Sequence, residues 1–101
     1  MPARIQFDRV KVMDFCRRYH VRKLSFFGSV LRDDFRNDSD IDLLYELEDG
    51  HSIGYFKLVE MELELSKLFG GRKVDLVSPT YLKPMLKDEI LKSAEVEYAQ
   101  V

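Results

Sequence analysis

The stretch GSVLRDDFRNDSDIDLLYEL, residues 28–47, decides how this chain is read. Gly28-Ser29 closes a short apolar run, Leu24-Ser25-Phe26-Phe27, and after a spacer of ten residues Asp40-Ile41-Asp42 opens a second one. Glycine permits a tight turn and a close approach of backbone to an anion. Ser29 adds a hydroxyl donor, and a helical turn after it would offer free N–H groups to a phosphate. In a strand, residues two apart share a face. Asp40 and Asp42 therefore project together, while Ile41 and Leu43 turn toward a core. Two carboxylates held side by side repel each other unless a cation bridges them. Oxygen-only ligands favour a hard ion, Mg²⁺ or Mn²⁺, over zinc.

Working outward, the chain reads as alternating helices and strands. A first helix is expected from about Asp8 to His20, with Asp8 as N-cap and Val12, Met13, Cys16 and Tyr19 on one face. Leu24–Phe27 is a strand, Val30–Asp34 one or two helical turns, Arg36-Asn37-Asp38-Ser39 a polar loop, and Ile41–Leu47 a second strand. Glu48-Asp49-Gly50 reads as a turn. From Ile53 to Phe69 the pattern is ambiguous, because Val59 to Leu65 alternates like a strand. The run is too long for a usual strand and rich in helix formers. Leu58, Met61, Leu65 and Leu68 also form a helical stripe, which Ser52 could cap and Gly70-Gly71 could end, so a helix is expected. Lys73–Val77 is a third strand stopped by Ser78-Pro79, and Leu82–Leu91 a helix with Pro84 in its first turn. Ala94–Ala99 is either a last short strand or a frayed end. The expected order is α-β-(α)-β-α-β-α, an α/β architecture in which helices flank a small mixed sheet. No repeat, low-complexity tract or linker divides residues 1–101, so a single domain is expected.

Bulk properties exclude several classes. A formal net charge of −2 gives no basic face for broad binding to nucleic acid. The single cysteine, Cys16, cannot form an internal disulfide and is expected to be a buried hydrophobe in a reducing compartment. No segment approaches the roughly 20 apolar residues needed to span a bilayer, and no signal peptide is evident. A cytosolic protein is the default expectation. His20 and His51 stand isolated in the sequence, so no His/Cys cluster offers a zinc alternative.

A D-x-D alone is commonly a turn followed by a solvent-facing strand residue. Three features argue for more. Gly28-Ser29 lies just upstream; aspartate is a poor strand residue, yet Asp42 sits inside IDLLY; and Asp75 sits inside a second apolar strand, KVDLV. On an adjacent strand, Asp75 could complete a carboxylate triad, acting as third metal ligand and as general base to an attacking hydroxyl. Its plainer alternative is a strand-edge aspartate paired with Arg72 or Lys73. Arg32 and Arg36 lie between the two halves of the motif, and either could bind phosphate or pair with Asp33, Asp34 or Asp38.

The spacing G-S-x10-D-x-D, with KVDLV downstream, resembles the nucleotidyltransferase superfamily related to DNA polymerase β. The whole chain is similar to its smallest members, the minimal nucleotidyltransferase (MNT) proteins. The resemblance implies that Gly28, Ser29 and Arg32 hold a triphosphate, that Asp40 and Asp42 bind Mg²⁺ (or Mn²⁺), and that Asp75 is the third carboxylate. It further implies a type VII-like antitoxin whose partner is a HEPN-domain RNase toxin, inactivated by transfer of AMP from ATP to a tyrosine. The 101 residues leave no room for an acceptor-holding domain, so a partner protein is expected to present the acceptor. Stoichiometric neutralisation without catalysis is the alternative, and transfer to a small molecule or RNA end a third. The acidic residues Glu60, Glu62 and Glu64 read as a solvated helix face or a contact for a basic partner. One departure from the family pattern is Asp33, where relatives commonly have glycine, which adds negative charge beside the phosphate turn.

Overall fold

A computed structural model describes residues 5–31, 36 and 39–100. Helix α1, Arg9–Arg18, starts where expected, with the Asp8 carboxylate accepting from the Val10 and Lys11 N–H groups at 3.0 and 3.3 Å. Its buried face is Val12, Phe15 and Cys16; Met13 is half-buried, and Tyr19 tilts against Phe15 with ring centroids 4.8 Å apart. Strand β1, Val21–Phe27, runs into a short 3₁₀ turn, Gly28–Leu31. The expected turns beyond it, Arg32 to Asp34, lie outside the described residues.

Strand β2, Ile41–Leu47, has the expected bounds and leads through a turn to α2, Tyr55–Leu68. The stripe of leucines decides this element as a helix, with Met61 and Leu65 fully buried. Ser52 does not cap it. The N-cap is Gly54, which makes no side-chain cap bond, because the chain stays extended while Ile53 packs on the core. At the other end Gly70 and Gly71, at φ +79° and +89°, close a Schellman motif. Gly71 N–H donates to the Ser66 carbonyl at 2.8 Å.

Strand β3 is Val74–Val77; helix α3, Pro84–Ser93, follows a 3₁₀ turn, Pro79–Tyr81, capped by Ser78. α3 starts at Pro84 rather than Leu82, because a residue before proline is pushed to extended backbone. The tail resolves into strand β4, Glu95–Ala99. The described strands form one mixed sheet in the order β3-β2-β1-β4. β1 is antiparallel to both neighbours, and β2 and β3 are parallel, a pairing that needs the crossover α2 supplies.

Helices α1 and α2 touch each other and lean on β1 and β3. The core between them and the sheet holds Leu24 and Phe26 of β1, Ile41, Leu43 and Tyr45 of β2, and Val74 and Leu76 of β3. Period-two alternation then sends Asp42 and Asp75 to the opposite face. Among the described residues, no helix is long and apolar enough to cross a membrane.

Candidate functional site

Strand register brings Asp42 and Asp75 side by side on neighbouring strands. In the parallel pair, Ile41 stands beside Val74 and Asp42 beside Asp75, and on its other side Asp42 is opposite Phe27 of β1. Asp40 immediately precedes β2, where the Ile41 N–H donates to the Lys73 carbonyl at 2.9 Å and ties the starts of the two strands together. All three aspartates therefore stand at the amino ends of β2 and β3, next to the carboxyl end of β1. Doubly wound folds keep their sites at the carboxyl ends of parallel strands; here the antiparallel β1 brings the Gly28 turn to the opposite end.

That turn sits directly on the carboxylates. Gly28 has φ +77°, and a Cβ built on it would lie 2.7 Å from Asp42 Oδ2. Only a residue without a side chain allows both the left-handed backbone and this approach. Val30 is fully buried and anchors the turn from below. The side chain of Ser29, together with Arg32 and Asp33, lies outside the described residues. Arg36 is exposed; its N–H donates to Ser39 Oγ at 2.9 Å, and its carbonyl accepts from Arg72 Nη1 at 2.9 Å.

Asp42 and Asp75 are partly exposed, and the Asp40 side chain is 47% exposed. Lys73, a candidate partner for Asp75 by sequence, reaches Asp40 instead, with Nζ 3.9 Å from Oδ2. Like-charge repulsion among the acids is thus partly offset by a flexible ammonium that a cation could displace. A groove of about 650 Å³ shares no lining residue with the aspartates. It runs along the far end of β2 and the turn Ser78–Tyr81. Donor chemistry locates the candidate site.

One sequence expectation fails and another holds only in part. On α2, Glu60 is a solvated residue as expected, whereas Glu62 and Glu64 are tied to other elements. Glu62 accepts from the Leu76 N–H at 2.8 Å, Glu64 binds Arg18 and the Tyr19 hydroxyl, and Glu60 pairs with Lys57 at 3.3 Å. The histidines are not isolated. His20 and His51 stack with centroids 4.0 Å apart, beside Glu48. The cause is the β1–β2 hairpin register, which sets the residue before β1 against the residue after β2 and which no local pattern reveals.

Comparison with known proteins follows the same outline. A profile described as a nucleotidyltransferase domain matches residues 10–96. The protein adenylyltransferase MntA of Thermococcus cleftensis is 38% identical over 81 residues, covering 80% of this chain and 77% of that protein. A solved structure, described provisionally as a minimal nucleotidyltransferase, is 36% identical with a TM-score of 0.68, and the match covers 85% of each chain. A chain in the complex of tri-AMPylated Shewanella oneidensis HEPN toxin with MNT antitoxin superposes with a TM-score of 0.65, over 91% of this chain and 70% of that one. At 16% identity, this last likeness speaks to the fold alone. Profile, relatives and fold agree: the chain belongs to the nucleotidyltransferase domain family and is a nucleotidyltransferase.

Proposed function

We propose that this chain is a Mg²⁺-dependent protein adenylyltransferase and antitoxin, transferring AMP from ATP to a tyrosine of a HEPN-type RNase partner. The observation that carries the reading is the side-by-side register of Asp42 and Asp75 beside the Gly28 turn. The activity named for the Thermococcus cleftensis relative and the AMPylated toxin in the Shewanella oneidensis complex support the choice of acceptor.

Asp42 and Asp75 on neighbouring strands, with the exposed Asp40 just before β2, offer an all-oxygen donor set, which suits Mg²⁺ or Mn²⁺. Bound by Asp40, Asp42 and Asp75, such an ion would neutralise triphosphate charge and make an acceptor hydroxyl more acidic. In this reading the Gly28 backbone lets the triphosphate lie against the turn, with Ser29 and Arg32 as further phosphate contacts. Asp75 takes the proton of the tyrosine hydroxyl as its oxygen attacks the α-phosphorus. The bond from that phosphorus to the bridging oxygen breaks, and pyrophosphate leaves. Exposed apolar side chains, Tyr55, Phe56 and Leu63 on α2 and Met85 on α3, are available for a partner protein to cover.

The test incubates the chain with α-labelled ATP, Mg²⁺ and the product of the neighbouring gene. Label should appear on a tyrosine of the partner and disappear with Asp42→Asn. Full neutralisation by Asp42→Asn with no label transferred would sink the catalytic reading in favour of stoichiometric binding. Label appearing on RNA or a small molecule alone would overturn the choice of acceptor.

A further inference from the structure

At the end of the sheet remote from the aspartates, three potential metal ligands converge. His20 lies just before β1, Glu48 just after β2, and His51 in the loop leading to α2. One ligand atom from each falls within 4.8 Å of the others. We propose that His20, Glu48 and His51 bind one divalent transition ion of the zinc type, at a site separate from the carboxylate triad.

The backbone arrangement fits this assignment. His20 has φ +58°, a left-handed conformation that no other described non-glycine residue adopts and that a side chain disfavours. Its carbonyl accepts the Glu48 N–H at 2.8 Å, one step beyond the Val21–Leu47 pair, so the hairpin register holds the two residues together. The turn after Glu48, with Gly50 at φ +83°, returns the chain so that the His51 N–H meets the Glu48 carbonyl at 3.1 Å. The two imidazoles then lie face to face, 16° from parallel, and His20 Nδ1 is 3.7 Å from Glu48 Oε1.

The other oxygen of Glu48 is held separately. Gln100 Nε2 donates to Glu48 Oε2 at 2.6 Å, and the Gln100 N–H donates to the Arg22 carbonyl at 2.9 Å. A carboxylate oriented by an outer hydrogen bond, with its free oxygen toward two imidazoles, is the support metal ligands usually have. Two imidazole nitrogens and one carboxylate oxygen suit zinc, with a fourth position left for water, and copper or nickel by the same ligand preference. This donor set differs from the all-oxygen triad. The six residue steps from Asp42 to Glu48 along β2 put the two sites about 20 Å apart.

In tetrahedral zinc the ligand atoms lie about 3.3 Å from one another, so the side chains must close by at most about 1.5 Å and the rings splay. The His20 side chain is 51% exposed, and His51 is also exposed, so rotation about side-chain bonds suffices. The bound ion would clip the start of β1, the end of β2 and the loop into α2 together.

The test uses the full chain, free of any polyhistidine tag, with Asp40→Asn, Asp42→Asn and Asp75→Asn in the background so that the triad contributes no ligand. Calorimetric titration with Zn²⁺ should give one ion per chain, with the melting temperature raised by zinc and unmoved by Mg²⁺. His51→Ala, on an exposed loop, and His20→Asn, which keeps a residue tolerant of the left-handed backbone, should each weaken binding at least about ten-fold. Cobalt on the unaltered chain gives a second readout: histidine-ligated Co²⁺ should show visible bands that zinc abolishes. Absence of stoichiometric zinc binding, or binding unchanged by both histidine variants, overturns the proposal and reduces the cluster to a stacked pair beside an acid. Either outcome leaves the adenylyltransferase reading standing, because the triad takes no part in the measurement.

Discussion

Gly28 is the residue on which the candidate site depends most directly. Alanine there would adopt φ +77° at a cost of about 1–2 kcal/mol, and its Cβ would meet Asp42 Oδ2 at 2.7 Å. The atom in the way is the end of a side chain, so the carboxylate gives way before the backbone does. Gly28→Ala is therefore expected to fold with a modestly lowered melting temperature. It should lose AMP transfer by about 100-fold, since a displacement near 1 Å costs about that much. Steady-state transfer assays beside thermal melts check this, and full activity would show that Asp42 tolerates the shift.

At the scale of elements, two of the three glutamates on the acidic face of α2, Glu62 and Glu64, are internal ties. β3 is the edge of the described sheet, and Glu62 covers one of its edge N–H groups at Leu76, which also blocks unwanted strand pairing. Removing the acceptor leaves a half-buried donor without its bond. Glu62→Ala should cost about 1–3 kcal/mol in urea unfolding. Glu60→Ala, whose Lys57 partner is exposed, should change stability by under about 1 kcal/mol. Glu64 joins α2 to α1, and the hydrogen-bonded Arg18 guanidinium, with help from the Tyr19 hydroxyl and against some desolvation, holds its carboxyl below the usual value. A carboxyl lowered in the folded chain stabilises it above the unfolded pKa, near 4.5, and that contribution fades as pH falls through the lowered folded value. Between neutral pH and pH about 3 the melting temperature of the parent should thus fall further than that of Glu64→Gln. Parallel acid melts of the two proteins measure the difference.

The molecule as a whole seals Cys16 between α1 and the sheet. Burial, with the Glu97 charge adding to it, pushes the thiol up to about 12. A thiol reagent at pH about 8 should label the native chain only through global opening, and label it at once in denaturant. Fast labelling of folded protein would show that α1 detaches locally.

The sequence alone determined what depends on neighbours along the chain. Asp8 as N-cap, the strand Ile41–Leu47, the glycine stop of α2 and the Gly28 to Asp42 spacing all follow from local turn chemistry and hydrophobic period. It also showed that Asp42 and Asp75 were anomalous in their strands, without showing that they would meet. Tertiary structure decided that pairing, because parallel register is set only when α2 packs β3 beside β2. It likewise decided that the tail becomes β4, that Lys73 serves Asp40, and that Glu62 bonds across to β3. His20 and His51, thirty-one positions apart in the chain, stack because hairpin register joins the ends of β1 and β2. Contacts of this kind are set by packing and pairing between distant segments, and no local period records them.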